Sequence, residues 1–274
     1  RTGWWNLYCV KKGRVEPVLE IEAEFGAPAW QFGMGTYTFE TARRIVCTYN
    51  QTGKWNIATL DTNSRKLRKL DTGFTNFGSL NAADGLVWTV AGSVSQPPAI
   101  VEINLDSGES NVLIHSSSIS IDPKFISLPK AIEFPTENGQ NAHAFIYLPK
   151  NDNYKAPEGE LPPLIVHSHG GPTSESNPSF SLNTQYWTSR GFAVVDVNYG
   201  GSSGFGREYR ERLKGAWGIV DVDDCSNAAL HLAKHGIIDR QRIAISGRSA
   251  GGYTTLCALT FKDIFSAGAS HFGV

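Results

Sequence analysis

Two serines in this 274-residue sequence stand in the pattern Gly-x-Ser-x-Gly, whose small residues let a serine hydroxyl project from a sharp turn. One is Ser249, in GRSAG, and the other is Ser202, in GGSSG. A serine presented in this way attacks a carbonyl carbon and forms an acyl-enzyme once a neighbouring base takes its proton. The pattern alone does not choose between the two serines.

The residues around Ser249 favour it as the nucleophile. The buried-strand pattern RIAIS precedes it, and AGGYTTLCALTF, which is small and apolar, predicts a buried helix after it. Ser202 instead precedes the charged stretch FGREYRERLKG, which is typical of a surface helix or loop. We therefore predict that Ser249 attacks the substrate and that Ser202 belongs to a glycine-rich loop. A turn that serves packing alone is the alternative for Ser249.

A second glycine-rich turn, HGGP at residues 169–172, follows the apolar stretch PLIVHS. Backbone N–H groups in such a turn can stabilise a negatively charged oxygen, together with the N–H of Ala250 after the nucleophile. In hydrolases of this kind the base follows the serine along the chain, so we expect a structural role for His169.

The elements around these turns predict a parallel sheet in residues 126–274. After a hairpin around Asn138-Gly139, strands and helices alternate. We expect strands at PLIVHS, FAVVDVNY and RIAIS, and helices at LNTQYWTSRG, VDDCSNAALHLAKHG and AGGYTTLCALTF. Active sites of such sheets lie at the carboxyl ends of the strands, where both glycine-rich turns fall.

Residues 1–125 have the pattern of an all-β domain. Three stretches resemble each other, each a strand, a polar turn and a second strand: WNLYCVKKGRVEPVL, WNIATLDTNSRKLRKL and AIVEINLDSGESNVLI. Their spacing favours about two to three blades of a β-propeller over unrelated hairpins in a sandwich. A closed propeller has ~4–8 blades, and the chain begins with Arg1, so we expect a piece of a longer protein.

Composition narrows the classes of partner. The formal charge of −1 gives no support to nucleic-acid or membrane binding, and no apolar run reaches the ~18 residues of a membrane span. Four widely spaced cysteines predict reduced thiols and a cytoplasmic location, although a missing N-terminus leaves an organelle open. Self-association into a homo-oligomer also stays open.

Three blocks in this order resemble the catalytic domain of the prolyl oligopeptidase family of serine peptidases: HGGP, FAVVDVNYGGSSGFGREYRERLKGAWGIVDVDD and GRSAGGYTTLCAL. The likeness is greatest to the branch of acylaminoacyl peptidases and dipeptidyl-peptidase-like enzymes. The resemblance implies part of a β-propeller at residues 1–125 and the first part of an α/β-hydrolase domain at 126–274. It implies Ser249 as nucleophile, the N–H groups of Ala250 and Gly171 as oxyanion donors, no cofactor and no metal, and short peptides as substrates.

The sequence departs from the family pattern in three places. The triad Asp and His are expected beyond Val274, because Asp263 and His271 lie too close to Ser249. Glycine stands at position 200, where the family often has arginine, and Arg248 precedes the nucleophile. Two alternatives therefore stay open: a carboxylesterase or lipase, and an interaction protein whose hydrolase domain is inactive.

Two further groups of polar residues have simpler interpretations. His231 and His235 are spaced as zinc ligands can be, but HLAKH lacks the glutamate of His-Glu-x-x-His, so an exposed helix face is favoured. The acidic run Asp221 to Asp224 precedes a helix pattern, where carboxylates favour the helix dipole.

Overall fold

The computed structural model describes residues 2–30 and 32–274, which form two compact units. The first unit contains the residues up to Ile119 together with Asn177–Phe180 and Ser203–Glu208. The second contains Ser120–Ser176, Ser181–Ser202 and Tyr209–Val274. The domain boundary expected between residues 125 and 126 stays a prediction.

The sheets that the structure describes in the first unit are all antiparallel. Two sheets have four strands each, in the order β3-β4-β5-β6 and β7-β8-β9-β10, and β1 pairs with β2 alone. Four-stranded antiparallel sheets of this kind are typical of propeller blades. Each of the three similar stretches forms the hairpin that its pattern predicts. The strands are β1 Tyr8–Lys11, β2 Arg14–Pro17, β3 Tyr37–Phe39, β4 Arg44–Gln51, β5 Lys54–Asp61, β6 Leu67–Leu70, β7 Asn76–Ala83, β8 Leu86–Gly92, β9 Ala99–Asn104 and β10 Ser110–His115.

The second unit is organised around a six-stranded mixed sheet in the order β11-β12-β14-β13-β15-β16. Strands β11, β12 and β14 pair antiparallel, and β14, β13, β15 and β16 pair parallel, as in an α/β-hydrolase. The order places β13 directly beside both β14 and β15. The strands are β11 Lys130–Pro135, β12 Asn141–Tyr147, β13 Leu164–Ser168, β14 Ala193–Asn198, β15 Ile243–Arg248 and β16 Ala267–His271.

Helices cover both faces of this sheet. On one face α3 and α4 bury the main core, in which Cys225, Ala228, Ala229 and Leu232 are fully buried, as their helical spacing predicts. On the other face, Trp187 at the end of α1 packs against a smaller cluster around Phe145 and Ile165. The helices are α1 Leu182–Thr188, α2 Gly206–Glu211, α3 Val220–Lys234 and α4 Ala250–Phe261, with short 3-10 turns at Pro123–Phe125 and Glu137–Gly139. No helix in residues 2–30 and 32–274 is long and apolar enough to cross a membrane.

Candidate active site

Ser249 occupies the turn between strand β15 and helix α4. Its backbone has φ of 53° and ψ of −122°, a conformation that residues with a side chain rarely adopt. The Ser249 N–H donates to the carbonyl oxygen of His271 at 3.1 Å, and its carbonyl accepts from the N–H of Tyr253 at 3.1 Å. The side chain is half-buried, and its hydroxyl has no hydrogen bond to any other described residue. The turn therefore holds this serine by its backbone and leaves the hydroxyl free.

The glycines on either side of Ser249 are required by close backbone contacts. A Cβ atom on Gly247 would overlap with the carbonyl group of Gly251. A Cβ atom on Gly251 would overlap with the carbonyl oxygen of Ser168 and lie 2.8 Å from that of His169. The pattern Gly-x-Ser-x-Gly thus lets α4 begin directly against the carboxyl end of β13.

The HGGP turn lies next to Ser249, because β13 and β15 are neighbours. A Cβ atom on Gly170 would lie 3.2 Å from the carbonyl oxygen of Arg248 and 3.6 Å from Cβ of Ser249. Gly171 has φ of 125°, where a side chain would collide with the backbone N atoms of residues 173 and 174. Neither the Gly171 N–H nor the Ala250 N–H donates to another described residue, and Ala250 is the first residue of α4, where such groups are free. Two unused donors therefore flank the turn that carries the serine hydroxyl.

His169 is bound on both sides of its ring. Its Nδ1 atom lies 2.8 Å from the carbonyl oxygen of Gly170, and its Nε2 atom lies 2.7 Å from Oγ of Ser202. Since the carbonyl only accepts, Nδ1 carries the proton of the neutral ring. Nε2 and the Tyr199 carbonyl oxygen, 2.8 Å from Oγ, then share the single proton of the Ser202 hydroxyl as acceptors. The ring also stacks on Tyr199, with centroids 4.3 Å apart. Burial lowers the pKa of His169 to about 4, which keeps the imidazole neutral near pH 7.

Tyr199 and Asn198, at the end of strand β14, hold the rest of the turn. The hydroxyl of Tyr199 is placed to donate to the carbonyl oxygens of Pro172 at 2.8 Å and His169 at 3.0 Å. The Asn198 amide accepts from the N–H of Ser176 at 2.7 Å and donates to its carbonyl at 2.9 Å. No local sequence pattern predicts these contacts.

Ser202 has none of the features of an exposed nucleophile. Its residue surface is fully buried, and its hydroxyl lies 2.8 Å from the Tyr199 carbonyl oxygen as well as 2.7 Å from His169. The hydroxyl is therefore used by the loop, as the local pattern indicates.

None of the other candidate polar side chains in residues 2–30 and 32–274 has a hydrogen bond to the Ser249 hydroxyl. Asp263 follows the end of α4, and His271 ends β16 and contacts Ser249 through its backbone oxygen. Nδ1 of His235 lies 2.8 Å from the carbonyl oxygen of His231, within the helix face. In the part of the chain that the structure describes, no three His, Cys, Asp or Glu side chains are grouped to hold a metal ion.

Residues 178–274 match the prolyl oligopeptidase family. The chain is 28% identical to dipeptidyl aminopeptidase BIII of Pseudoxanthomonas mexicana over 69% of this chain and 28% of that protein. It is 34% identical to the acylamino-acid-releasing enzyme of Arabidopsis thaliana over 53% of this chain and 19% of that protein.

Among solved structures, the fold is similar to a serine-to-alanine mutant of puromycin hydrolase in complex with PGG. The TM-score is 0.95 and the identity 36%, over 100% of this chain and 42% of that one. The chain thus spans less than half the length of each of these proteins.

Proposed function

We propose that this chain, whose residues 178–274 belong to the prolyl oligopeptidase family, carries the nucleophile and the oxyanion donors of a serine peptidase. The observation that carries the proposal is the free Ser249 hydroxyl on its strained turn, flanked by two backbone N–H groups without partners. Membership of a peptidase family makes amide hydrolysis the first reaction to test.

In the proposed reaction, Oγ of Ser249 attacks the carbonyl carbon of a peptide bond while a base takes its proton. The carbonyl oxygen becomes negatively charged, and the N–H groups of Ala250 and Gly171 donate to it. The base then protonates the leaving amine as the C–N bond breaks, which leaves an ester on Ser249. Water hydrolyses this ester and regenerates the serine.

The base in this reaction is not His169. Its Nδ1 and Nε2 atoms both have partners within the two loops, and burial lowers its pKa to about 4, so it is a weak base. Within residues 2–30 and 32–274 no imidazole hydrogen-bonds to the Ser249 hydroxyl. The proposal therefore assigns the base and its acid to residues that this sequence does not position, and predicts that the chain alone is inactive.

Short peptides are the proposed substrates. The relatives are named as a dipeptidyl aminopeptidase and an acylamino-acid-releasing enzyme, which supports a substrate made of amino acids. The PGG complex of the puromycin hydrolase mutant also supports a short ligand.

A fluorophosphonate probe on the full-length protein tests the nucleophile. We expect Ser249→Ala to abolish labelling, because the probe bonds to the activated hydroxyl. Ser202→Ala is the matched control and should retain it, since Ser202 is buried and bonded within its loop. Equal labelling of Ser249→Ala and wild type would refute the assignment.

Substrate class is tested separately, because the HGGP turn also resembles an esterase turn. Rates are compared for peptidyl anilides and for short acyl esters on the full-length protein. A peptidase cleaves the anilides at a measurable rate, whereas cleavage of the esters alone would favour the carboxylesterase alternative. Cleavage of neither would favour the inactive interaction protein.

A further inference from the structure

Helix α3 begins with two buried carboxylates that contact different parts of the candidate site. Asp221 is fully buried and Asp224 is 1% exposed. They are three residues apart on a helix, so they lie on the same face, one turn from each other. Ionised groups are costly to bury unless hydrogen bonds satisfy them, so the donors of each carboxylate show what it holds.

Asp221 connects the start of α3 to helix α4. Its Oδ2 atom accepts from the hydroxyl of Thr254 at 2.5 Å, in the second turn of the helix that follows Ser249. Its Oδ1 atom accepts from the N–H of Gly218 at 2.7 Å. A Cβ atom on Gly218 would lie 2.9 Å from the Tyr253 hydroxyl, so this turn also packs directly on α4.

Asp224 connects α3 to the loop after strand β14. Its Oδ2 atom accepts from the N–H of Gly200 at 2.7 Å, and its Oδ1 atom accepts from the hydroxyl of Thr136 at 2.5 Å. A Cβ atom on Gly200 would lie 2.8 Å from Cγ1 of Val220, the first residue of α3. Gly200 directly follows Tyr199, whose hydroxyl is placed to bond the carbonyl groups of the HGGP turn.

Burial raises the pKa of both carboxyl groups above 3.8, while the hydrogen bonds that they accept lower it. The donors therefore offset part of the cost of burying two charges that lie one turn apart. The free-energy cost of burying a charge is tolerated where the charge fixes the geometry of a site. A displacement of about 1 Å at a reacting group can lower the reaction rate about a hundredfold.

We infer that Asp221 and Asp224 are positioning residues, Asp221 for the helix behind Ser249 and Asp224 for the loop that holds the HGGP turn. The inference rests on the proposed function for its effect on reaction rate, but its structural part can be measured without any activity. The two carboxylates place the nucleophile and the oxyanion donors through separate contacts, so their effects should be separable.

The first measurement is amide hydrogen exchange on this chain. Asp224→Ala should accelerate exchange about tenfold or more in residues 199–204 and leave α4 unchanged, because Gly200 loses its acceptor. Asp221→Ala should do the reverse, with faster exchange in residues 250–256. Asp221→Asn and Asp224→Asn should restore protection, since an amide oxygen can still accept from the N–H and the amide NH₂ can donate to the threonine hydroxyl.

Asp223→Ala is the matched control. This carboxylate stands in the same helical turn but pairs with Lys262 at 2.5 Å and reaches neither segment, so exchange in both should stay unchanged. If Asp221→Ala fails to fold, Thr254→Val removes the contact with α4 from the other side. If Asp224→Ala fails to fold, Asp224→Leu keeps a side chain of similar size and still removes the acceptor of the Gly200 N–H. Equal changes in both segments, or no change in either, would overturn the inference.

The second measurement is the rate constant of fluorophosphonate labelling on the full-length protein. We expect about a tenfold to hundredfold decrease for Asp221→Ala and Asp224→Ala, with recovery in the asparagine variants. Unfolding alone lowers the final extent of labelling and leaves the rate constant of the folded fraction unchanged. Wild-type rates in both alanine variants, with labelling lost in Ser249→Ala, would refute the positioning role while supporting the nucleophile. Equal labelling of Ser249→Ala and wild type would refute the nucleophile itself.

Discussion

The Nε2 atom of His169 lies 2.7 Å from the Oγ atom of Ser202, which joins the turn after β13 to the loop after β14. A serine hydroxyl bonded to a histidine ring resembles the serine and base of a catalytic site. Ser202 is buried and His169 is neutral, so together they hold the turn that carries Gly171. We conclude that this pair has a structural role and holds the turn next to the candidate nucleophile.

The His169 ring predicts a pH dependence of stability. Its ordinary pKa is 6.5 and burial lowers it to about 4 in the folded chain, so the unfolded chain binds more protons between these values. The free energy of unfolding therefore rises as pH increases from about 4 to 6.5, and this contribution is lost as pH falls through the same window. His169→Gln should flatten that part of the profile in urea unfolding followed at several pH values. Identical slopes for variant and wild type would contradict this prediction.

The Tyr199 hydroxyl predicts a specific loss of stability. The residue is fully buried, and its hydroxyl donates into the HGGP turn, at 2.8 Å from the Pro172 oxygen. Tyr199→Phe should lower the free energy of unfolding by about 1–2 kcal/mol, because the Pro172 carbonyl oxygen loses its donor. Tyr154→Phe, at a side chain that is 79% exposed, is the control and should change it by less than about 0.5 kcal/mol. Similar losses in both would show that the hydroxyl bond is not responsible.

The close contact at Gly251 predicts that even one methyl group is not tolerated. Gly251→Ala should destabilise the second unit by about 1–3 kcal/mol or prevent folding, because Cβ overlaps with the end of β13. Gly35→Ala is the comparison, since nothing lies within 4 Å of a Cβ atom there. Thermal unfolding of the two variants measures the difference. A Gly251→Ala chain as stable as Gly35→Ala would contradict the observed packing.

The local elements of the site could be predicted from sequence, whereas the contacts between them could not. RIAIS and AGGYTTLCALTF specify a strand and a helix by periodicity and small residues, so the turn at Ser249 follows directly. The contact of His169 with Ser202 instead depends on β13 lying beside β14, and no local pattern specifies the order of strands in a sheet. The contacts of Asp221 and Asp224 with α4 and with the loop after β14 also could not be predicted. From the sequence, the two residues indicate only a favourable negative charge at the start of a helix.

The backbone conformation of Ser249 predicts which residue replaces it in homologues that have lost catalysis. Ser249→Ala and Ser249→Gly both remove the hydroxyl, but only glycine adopts φ of 53° and ψ of −122° without strain. We expect the glycine variant to be about 1 kcal/mol more stable than the alanine variant, which thermal unfolding can test. If Ser249 is the nucleophile that we propose, a serine here lowers stability in exchange for reactivity, a compromise that selection maintains only while the hydroxyl is used. Among homologues, those that have lost catalysis should accumulate glycine here.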